Sequence, residues 1–238
     1  MAKAKKSTDT AKSLTAWSYS RLAVFRECRR QFKYKFIDKL PEQKGPALIR
    51  GDTVHKGIAK YLEGKAKKLP EEGTNYGPLA AFYAALRKQK PAVEMQVAVD
   101  KDWRRVDWFD RAAWLRVVFD TAFERKAKIV NGTAVVMGDH KTGKVHPAKH
   151  GEQLEVYACV GPSLWPEAAE YHGEMYYVDH AMEPTEAVFL ATDVPKLRKK
   201  WAKLAAPIAK AKQYPAEPGQ ACRWCAFSGR RGGPCDAG

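Results

Sequence analysis

Val135-Val136-Met137-Gly138-Asp139-His140-Lys141-Thr142-Gly143-Lys144 is an apolar run that becomes charged just as it reaches a glycine-containing loop. Such a run describes a buried strand whose end meets solvent. Strand side chains alternate, so Asp139 and Lys141 are expected on one side and His140 on the other. Upstream, Val117-Val118-Phe119-Asp120 is a second apolar run ending on a carboxylate. Between the two lies Asn131-Gly132, a hairpin signal that would join Lys128–Val130 to Thr133–Lys141 and bring Asp120 near Asp139. Two carboxylates on adjacent strand ends offer hard oxygen ligands suited to Mg²⁺ or Mn²⁺, with a lysine beside them. An ordinary surface Asp-Lys pair reads the same way, so the neighbouring segments decide.

Working outward, Val93, Met95, Val97 and Val99 alternate with Glu94 and Gln96, and Ala113 to Thr121 alternates likewise, giving a meander of at least three strands. Glu174–Val178 and Ala187–Ala191 are expected as further short strands. Helical spacing appears in Leu22, Phe25, Cys28, Phe32 and Phe36, which predicts one amphipathic helix capped by Ser18 or Ser20. Helices are also expected over Leu48–Leu62 with His55 on its buried stripe, over Pro78–Lys88, over about Lys149–Val160, and over Pro195–Lys212. The fold class is α/β (α+β), a central mixed sheet flanked by helices.

Lys plus Arg total 42 against 27 Asp plus Glu, a formal charge of +15, which favours phosphate backbones over cationic or apolar partners. Nucleic acid is the leading partner class. No apolar stretch approaches the roughly 20 residues that span a bilayer, so no membrane association is expected. The lysine-rich start lacks an apolar centre and reads as a flexible basic tail over residues 1–16, which places the chain in a cytoplasm, bacterial or phage-encoded.

Further motifs stand in order around the strand ends: Gly51-Asp52-Thr53-Val54-His55 before them, and Gln153-Leu154-Glu155-Val156-Tyr157 after. This series resembles the RecB-like branch of the PD-(D/E)XK nucleases, including CRISPR-adaptation nucleases and AddB-type iron-sulfur exonucleases, over Ser18 to Cys235. The resemblance implies a restriction-endonuclease-like core over residues 17–214. It implies His55, Asp120, Asp139 and the backbone carbonyl of His140 as metal ligands, Lys141 as the catalytic lysine, and Gln153 and Tyr157 as a pair beside the site. Glu94 corresponds to a first-strand glutamate whose role varies among relatives. The implied activity is deoxyribonuclease, most plausibly exonucleolytic on single strands or duplex ends in recombination, repair or replication, with partner proteins from those processes.

Cys222-Arg223-Trp224-Cys225 and Cys235 place three thiols near the C-terminus, separated by two and then nine residues. Structural zinc or an iron-sulfur cluster needs a fourth ligand, from Cys28 or Cys159. The resemblance selects Cys28: cluster-bearing relatives hold [4Fe-4S] between a first-helix cysteine and three late ones, so residues 215–238 would pack on the N-terminal helix as a cysteine clasp. The spacing before Cys235 is longer than in those relatives, and zinc is the alternative. His146 and His150, four apart beside Pro147, lack a third ligand and are expected in solvent. Arg29, Arg30, Lys199, Lys200 and Lys203 are the candidate nucleic-acid contacts within a basic excess that is in part a solvated face, and Trp17, Trp103, Trp108 and Trp224 could stack on unpaired bases, although core packing or loop anchoring is the expected role of any one of them. The rival reading is a non-catalytic DNA-binding or adaptor protein with a structural zinc site.

Overall fold

Six strands make one sheet in the order β2-β1-β3-β4-β5-β6, where β1 is Ala92–Val99, β2 Arg105–Val106, β3 Leu115–Lys126, β4 Thr133–Lys141, β5 Glu170–Tyr177 and β6 Thr185–Leu190. In this computed structural model residues 16–42 and 45–237 are described. The basic tail expected over residues 1–16 lies outside them except for Ala16. The described residues divide into two compact units, one drawn from Met1–Gln43 with Ala205–Gly238, the other Lys44–Leu204.

The sheet belongs to the second unit. β1, β3 and β4 form the expected antiparallel meander, β4 and β5 run parallel, and β6 returns antiparallel. The parallel pair requires a crossover, which α5 (Pro147–Val160) supplies. On the opposite side lie α3 (Pro46–Leu62) and α4 (Leu79–Lys88), whose Val54, Ile58, Leu62, Leu79, Tyr83 and Leu86 bury together with Tyr176 and Val178. Gly138 of β4 lets Tyr176 and Thr121 approach the backbone where a Cβ would collide with both.

The β3–β4 connection differs from the tight Asn131-Gly132 hairpin. β3 continues to Lys126, which pairs with Thr133, and residues 127–132 form an irregular loop instead of the expected strand at Lys128–Val130. The buried Glu170 carboxylate explains it by accepting three loop N–H groups, from Lys128 at 2.8 Å, Ile129 at 2.5 Å and Val130 at 2.7 Å. A carboxylate that satisfies successive donors replaces the ladder they would otherwise enter.

β3 also breaks its own alternation. Phe119 meets Tyr157 of α5 edge-on at 4.9 Å, whereas Phe123 packs against the α3–α4 cluster. Residues four apart share a face in a regular strand, so the alternation slips between them. Opposite the slip, Glu94 has a left-handed φ of 50°, uncommon for a residue with a side chain.

In the first unit, the helix expected from Leu22 to Phe36 is broken. α1 (Tyr19–Glu27) is capped by Ser18, whose hydroxyl accepts Arg21 N–H, then Cys28 is extended, α2 spans Arg29–Phe32, and a π-turn covers Lys33–Ile37. The backbone donor of Arg30 goes instead to Pro215 O at 3.0 Å, and its side chain to Tyr214 O. Phe32 stacks on Tyr214 and Tyr34 packs against Phe227, holding the C-terminal segment to these helices.

α6 (Val194–Lys210) buries Trp201 and Ile208, as its apolar spacing requires.

Candidate active site

Phe119 faces α5, so alternation turns Asp120 toward α3. Its Oδ2 accepts the His140 N–H at 2.6 Å and lies 3.3 Å from His55 Nδ1. Across the strand pair, Glu94 completes a group: ligand atoms of His55, Glu94 and Asp120 all lie within 4.8 Å of one another. Among the described residues this is the one such triad. An imidazole and two carboxylates at that spacing can hold a divalent cation with open positions left for water and phosphate.

Asp139 stands one step past the last β3–β4 pair, Thr121 and Gly138, and so beside Asp120. Its Oδ1 accepts Gln153 Nε2 and Tyr157 OH, each at 2.7 Å, while Oδ2 ion-pairs with Lys141. That Oδ2 is buried and receives no hydrogen bond of good geometry, leaving lone-pair capacity a cation can use. Lys141 Nζ also donates to Gln153 Oε1 at 3.1 Å. Gln153 and Tyr157, one turn apart on α5, thus hold the carboxylate and the lysine in one network, with Gln153 Nε2 2.8 Å from Tyr157 OH.

The charge states follow from the surroundings. Burial pushes the His55 pKa down, but the hydrogen bond and charge of Asp120 outweigh it and the net shift is upward. Burial opposes ionisation of Asp120 in turn, yet His55 and His140 hold it below its ordinary value. Asp139 is raised, first by burial and then by the charge of Asp120, against the pull of Lys141. Glu94 is raised by burial and by Asp120. Burial lifts Tyr157 well above its usual range, so it remains a donor.

His140 turns its ring away from Lys141, as strand alternation requires. Its Nδ1 pairs with Tyr83 OH at 2.9 Å, and burial lowers its pKa to about 4, which keeps the imidazole neutral. The loop after Lys141 is tied by Asp179, which accepts Gly143 N–H at 2.7 Å, Arg50 Nη1 at 2.8 Å and Thr74 N–H at 3.2 Å, and whose pKa Arg50 depresses strongly. Neither Asp179 nor Arg50 carries a sequence signal, because their partners lie on three separate loops and helices. Glu94 had one: a carboxylate interrupting an apolar strand opposite Asp120. His150 is not in solvent; Pro147 begins α5 instead of breaking it, and His150 Nδ1 pairs with Tyr177 OH at 2.7 Å.

Cys28, Cys222, Cys225 and Cys235 line one pocket in the first unit, whereas Cys159 is buried in α5. The extended Cys28 backbone, which breaks the first helix, places its thiol there. The residues present fit a group held by four thiolates. Arg29 donates its backbone N–H to Glu217, and Arg30 is engaged by Tyr214. Lys199 and Lys203 are exposed on α6, and Lys200 pairs with Glu155. Trp17 is buried, and Trp103 packs on Trp114 beneath Arg198.

Two solved structures are similar in chain trace. SSO0001 has a TM-score of 0.49 at 16% identity, over 96% of this chain and 89% of its own. A candidate exonuclease from Eubacterium rectale has a TM-score of 0.49 at 10% identity, over 94% and 93%. No curated protein is a significant match. The PD-(D/E)XK nuclease superfamily, in contrast, matches over residues 16–130 and 128–230, which take in His55, Glu94, Asp120, Asp139, Lys141, Gln153 and Tyr157. The chain therefore belongs to the PD-(D/E)XK nuclease superfamily.

Proposed function

We propose that this nuclease is a metal-dependent exonuclease that degrades DNA from single strands or duplex ends, in phage or bacterial recombination, repair or replication. The observation that carries the reading is the His55–Glu94–Asp120 triad, with Asp120 midway along β3 and not at its end, beside Asp139 and Lys141 at the end of β4. Mg²⁺ or Mn²⁺ held there would polarise the phosphodiester and supply a coordinated water. Gln153 and Tyr157 hold Asp139 through Oδ1, which leaves Oδ2 to Lys141 and to a metal. Lys141, held between Asp139 and Gln153, keeps an ammonium where negative charge builds on the scissile phosphate. Peptide placement contributes too: the His140 N–H orients Asp120 from the neighbouring strand.

We assign Cys28, Cys222, Cys225 and Cys235 to a [4Fe-4S] cluster of structural role. Four thiols, one from the start of the chain and three from its end, line one pocket, which is the ligand number such a cluster takes.

The reading is tested on linear DNA blocked separately at each end and on a closed circle, with Mn²⁺ or with EDTA. Metal-dependent loss of the linear substrate from one or both open ends, with the circle intact, is expected. Cleavage of the circle would replace exonuclease by endonuclease, and no metal-dependent cleavage of any form would favour the adaptor reading.

A further inference from the structure

Phe109 is 85% exposed at the tip of the connection between β2 and β3. Its position is built, not loose. Asp110 N–H donates to Asp107 O at 3.0 Å, Ala113 N–H to Asp110 O at 3.2 Å, and Ala112 N–H to the Asp110 carboxylate at 2.7 Å, which closes a turn around the ring. Arg116 of β3 sets its guanidinium 5.5 Å from the Trp108 centroid and 5.9 Å from that of Phe109. The Arg116 Nε is buried with no hydrogen-bond partner, so the cation is seated by aromatic faces at this end. Exposed Asp107 and Asp110 adjoin the aromatic pair, Asp110 being used in the turn, and exposed Arg105 and Arg111 lie just beyond them in sequence.

β3 connects this feature to the metal centre. Leu115, Val117 and Phe119 are buried, Phe119 against α5, so Arg116, Val118 and Asp120 share the other side of the strand. Four steps along the strand separate Arg116 from Asp120, about 13 Å. The paired positions on β1 are Ala98 opposite Arg116 and Gln96 opposite Val118, with Gln96 and Glu94 exposed and Val118 half-buried. Ala98 is buried opposite Arg116 and Asp120 is buried at the far end, so the open part of the strip between them is Val118 with Gln96 and Glu94.

We propose that Trp108, Phe109 and Arg116 form a base-stacking platform for a single-stranded arm of DNA, with the β1–β3 strip as the floor that leads it to Asp120. The location of the scissile phosphate rests on the exonuclease reading; the binding does not. An exposed ring offers a π-face to any base, and Arg105 and Arg111 supply positive charge for the backbone. The platform therefore distinguishes strands with bases free to stack from strands without them.

The test is equilibrium binding by the full chain in EDTA, where hydrolysis is stopped, read by anisotropy. The probes are a labelled oligothymidylate, the same strand carrying abasic residues, and a blunt duplex of equal length. Phe109→Ala is expected to weaken the oligothymidylate by about 5- to 100-fold. It should change the abasic strand and the duplex by less than twofold, and Phe109→Trp should restore the wild-type value. Ile129→Ala, at another exposed apolar position, serves as the control and should match wild type. Unchanged oligothymidylate affinity in Phe109→Ala would overturn the platform and reassign the patch to a protein partner. Equal weakening of all three probes would overturn it as well, since stacking cannot act on an abasic strand. If that happens while Mn²⁺-dependent degradation persists, only the platform falls; Phe109-dependent binding without any metal-dependent cleavage would remove the exonuclease reading and leave the platform.

Discussion

Asp139 and Lys141 touch each other and share Gln153, yet their proposed duties differ, and substitutions should separate them. Asp139→Ala removes a ligand and a phosphate-repelling charge, so cleavage should fall at least about 10²-fold while DNA binding is kept or tightened. Glu94→Gln should raise the Mn²⁺ concentration for half-maximal activity by about tenfold or more, because a neutral amide is a poorer ligand in the triad. The raised pKa values of His55 and Asp139 mean that protons compete with the cation at both positions. Metal affinity should therefore climb as pH rises through the His55 range, with proton release on Mn²⁺ binding measurable by calorimetry in two buffers. A pH-independent affinity would contradict ligation by these groups. At this scale much was legible: Asp120, Asp139, Lys141, Gln153 and Tyr157 stand out because their spacing maps directly onto strand and helix geometry. Glu94 was visible but had no assigned role, since the first-strand glutamate of the nucleases it resembles varies in function. Asp179 was invisible, because a carboxylate that ties remote loops leaves no periodic trace.

The loop between β3 and β4 shows how an element can be misread from a strong local signal. Asn131-Gly132 alone predicts a tight hairpin, but Glu170, distant in sequence, captures the three preceding N–H groups. Glu170 also bonds His172 at 2.6 Å, and His172 reaches Glu186 at 2.8 Å, so the loop end is fastened to β5 and β6 through one polar chain. Burial works against ionisation of Glu170 and Glu186, but the donors around them prevail and hold both at about 2. In an unfolded chain a glutamate titrates near 4.3. Their contribution is thus complete above about pH 4.3 and is lost as pH falls toward 2. Glu170→Gln should lower Tm at neutral pH by about 5 °C or more and flatten stability between those two values. An acid-unfolding curve identical to wild type would contradict the fastening. The first helix was likewise overrun by its own periodicity: Leu22 to Phe36 keeps helical spacing, and the break at Cys28 is explained by the carbonyls of Tyr214 and Pro215, which accept from Arg30, and by the Tyr214 ring stacked on Phe32.

Over the whole molecule, the +15 charge makes a salt-dependent affinity for DNA the expected behaviour, with Lys199, Lys200 and Lys203 as proposed contacts. Replacing these three lysines together should reduce the slope of log affinity against log salt without altering metal dependence. The mixed sheet and its flanking helices were readable from alternation and helical spacing, whereas the order of the strands outside the meander and the division into two units were not, because both join segments distant in sequence. The proposed clasp has its own signature. Anaerobically prepared protein should contain roughly four iron and four sulfide per chain, and Cys28→Ser should lose them. Stoichiometric zinc without sulfide would exchange the cluster for a zinc site.

The most direct measurement follows release of labelled nucleotides from end-labelled linear DNA by wild type and by Lys141→Ala, each titrated with Mn²⁺. Hydrolysis centred on Asp120, Asp139 and Lys141 requires wild-type release that vanishes in EDTA. It also requires a Lys141→Ala rate lower by about 10²- to 10³-fold at saturating metal, with the Mn²⁺ half-saturation point little changed. Wild-type rates in the purified Lys141→Ala variant, or release that persists in EDTA, would contradict the assignment of the chemistry to this centre.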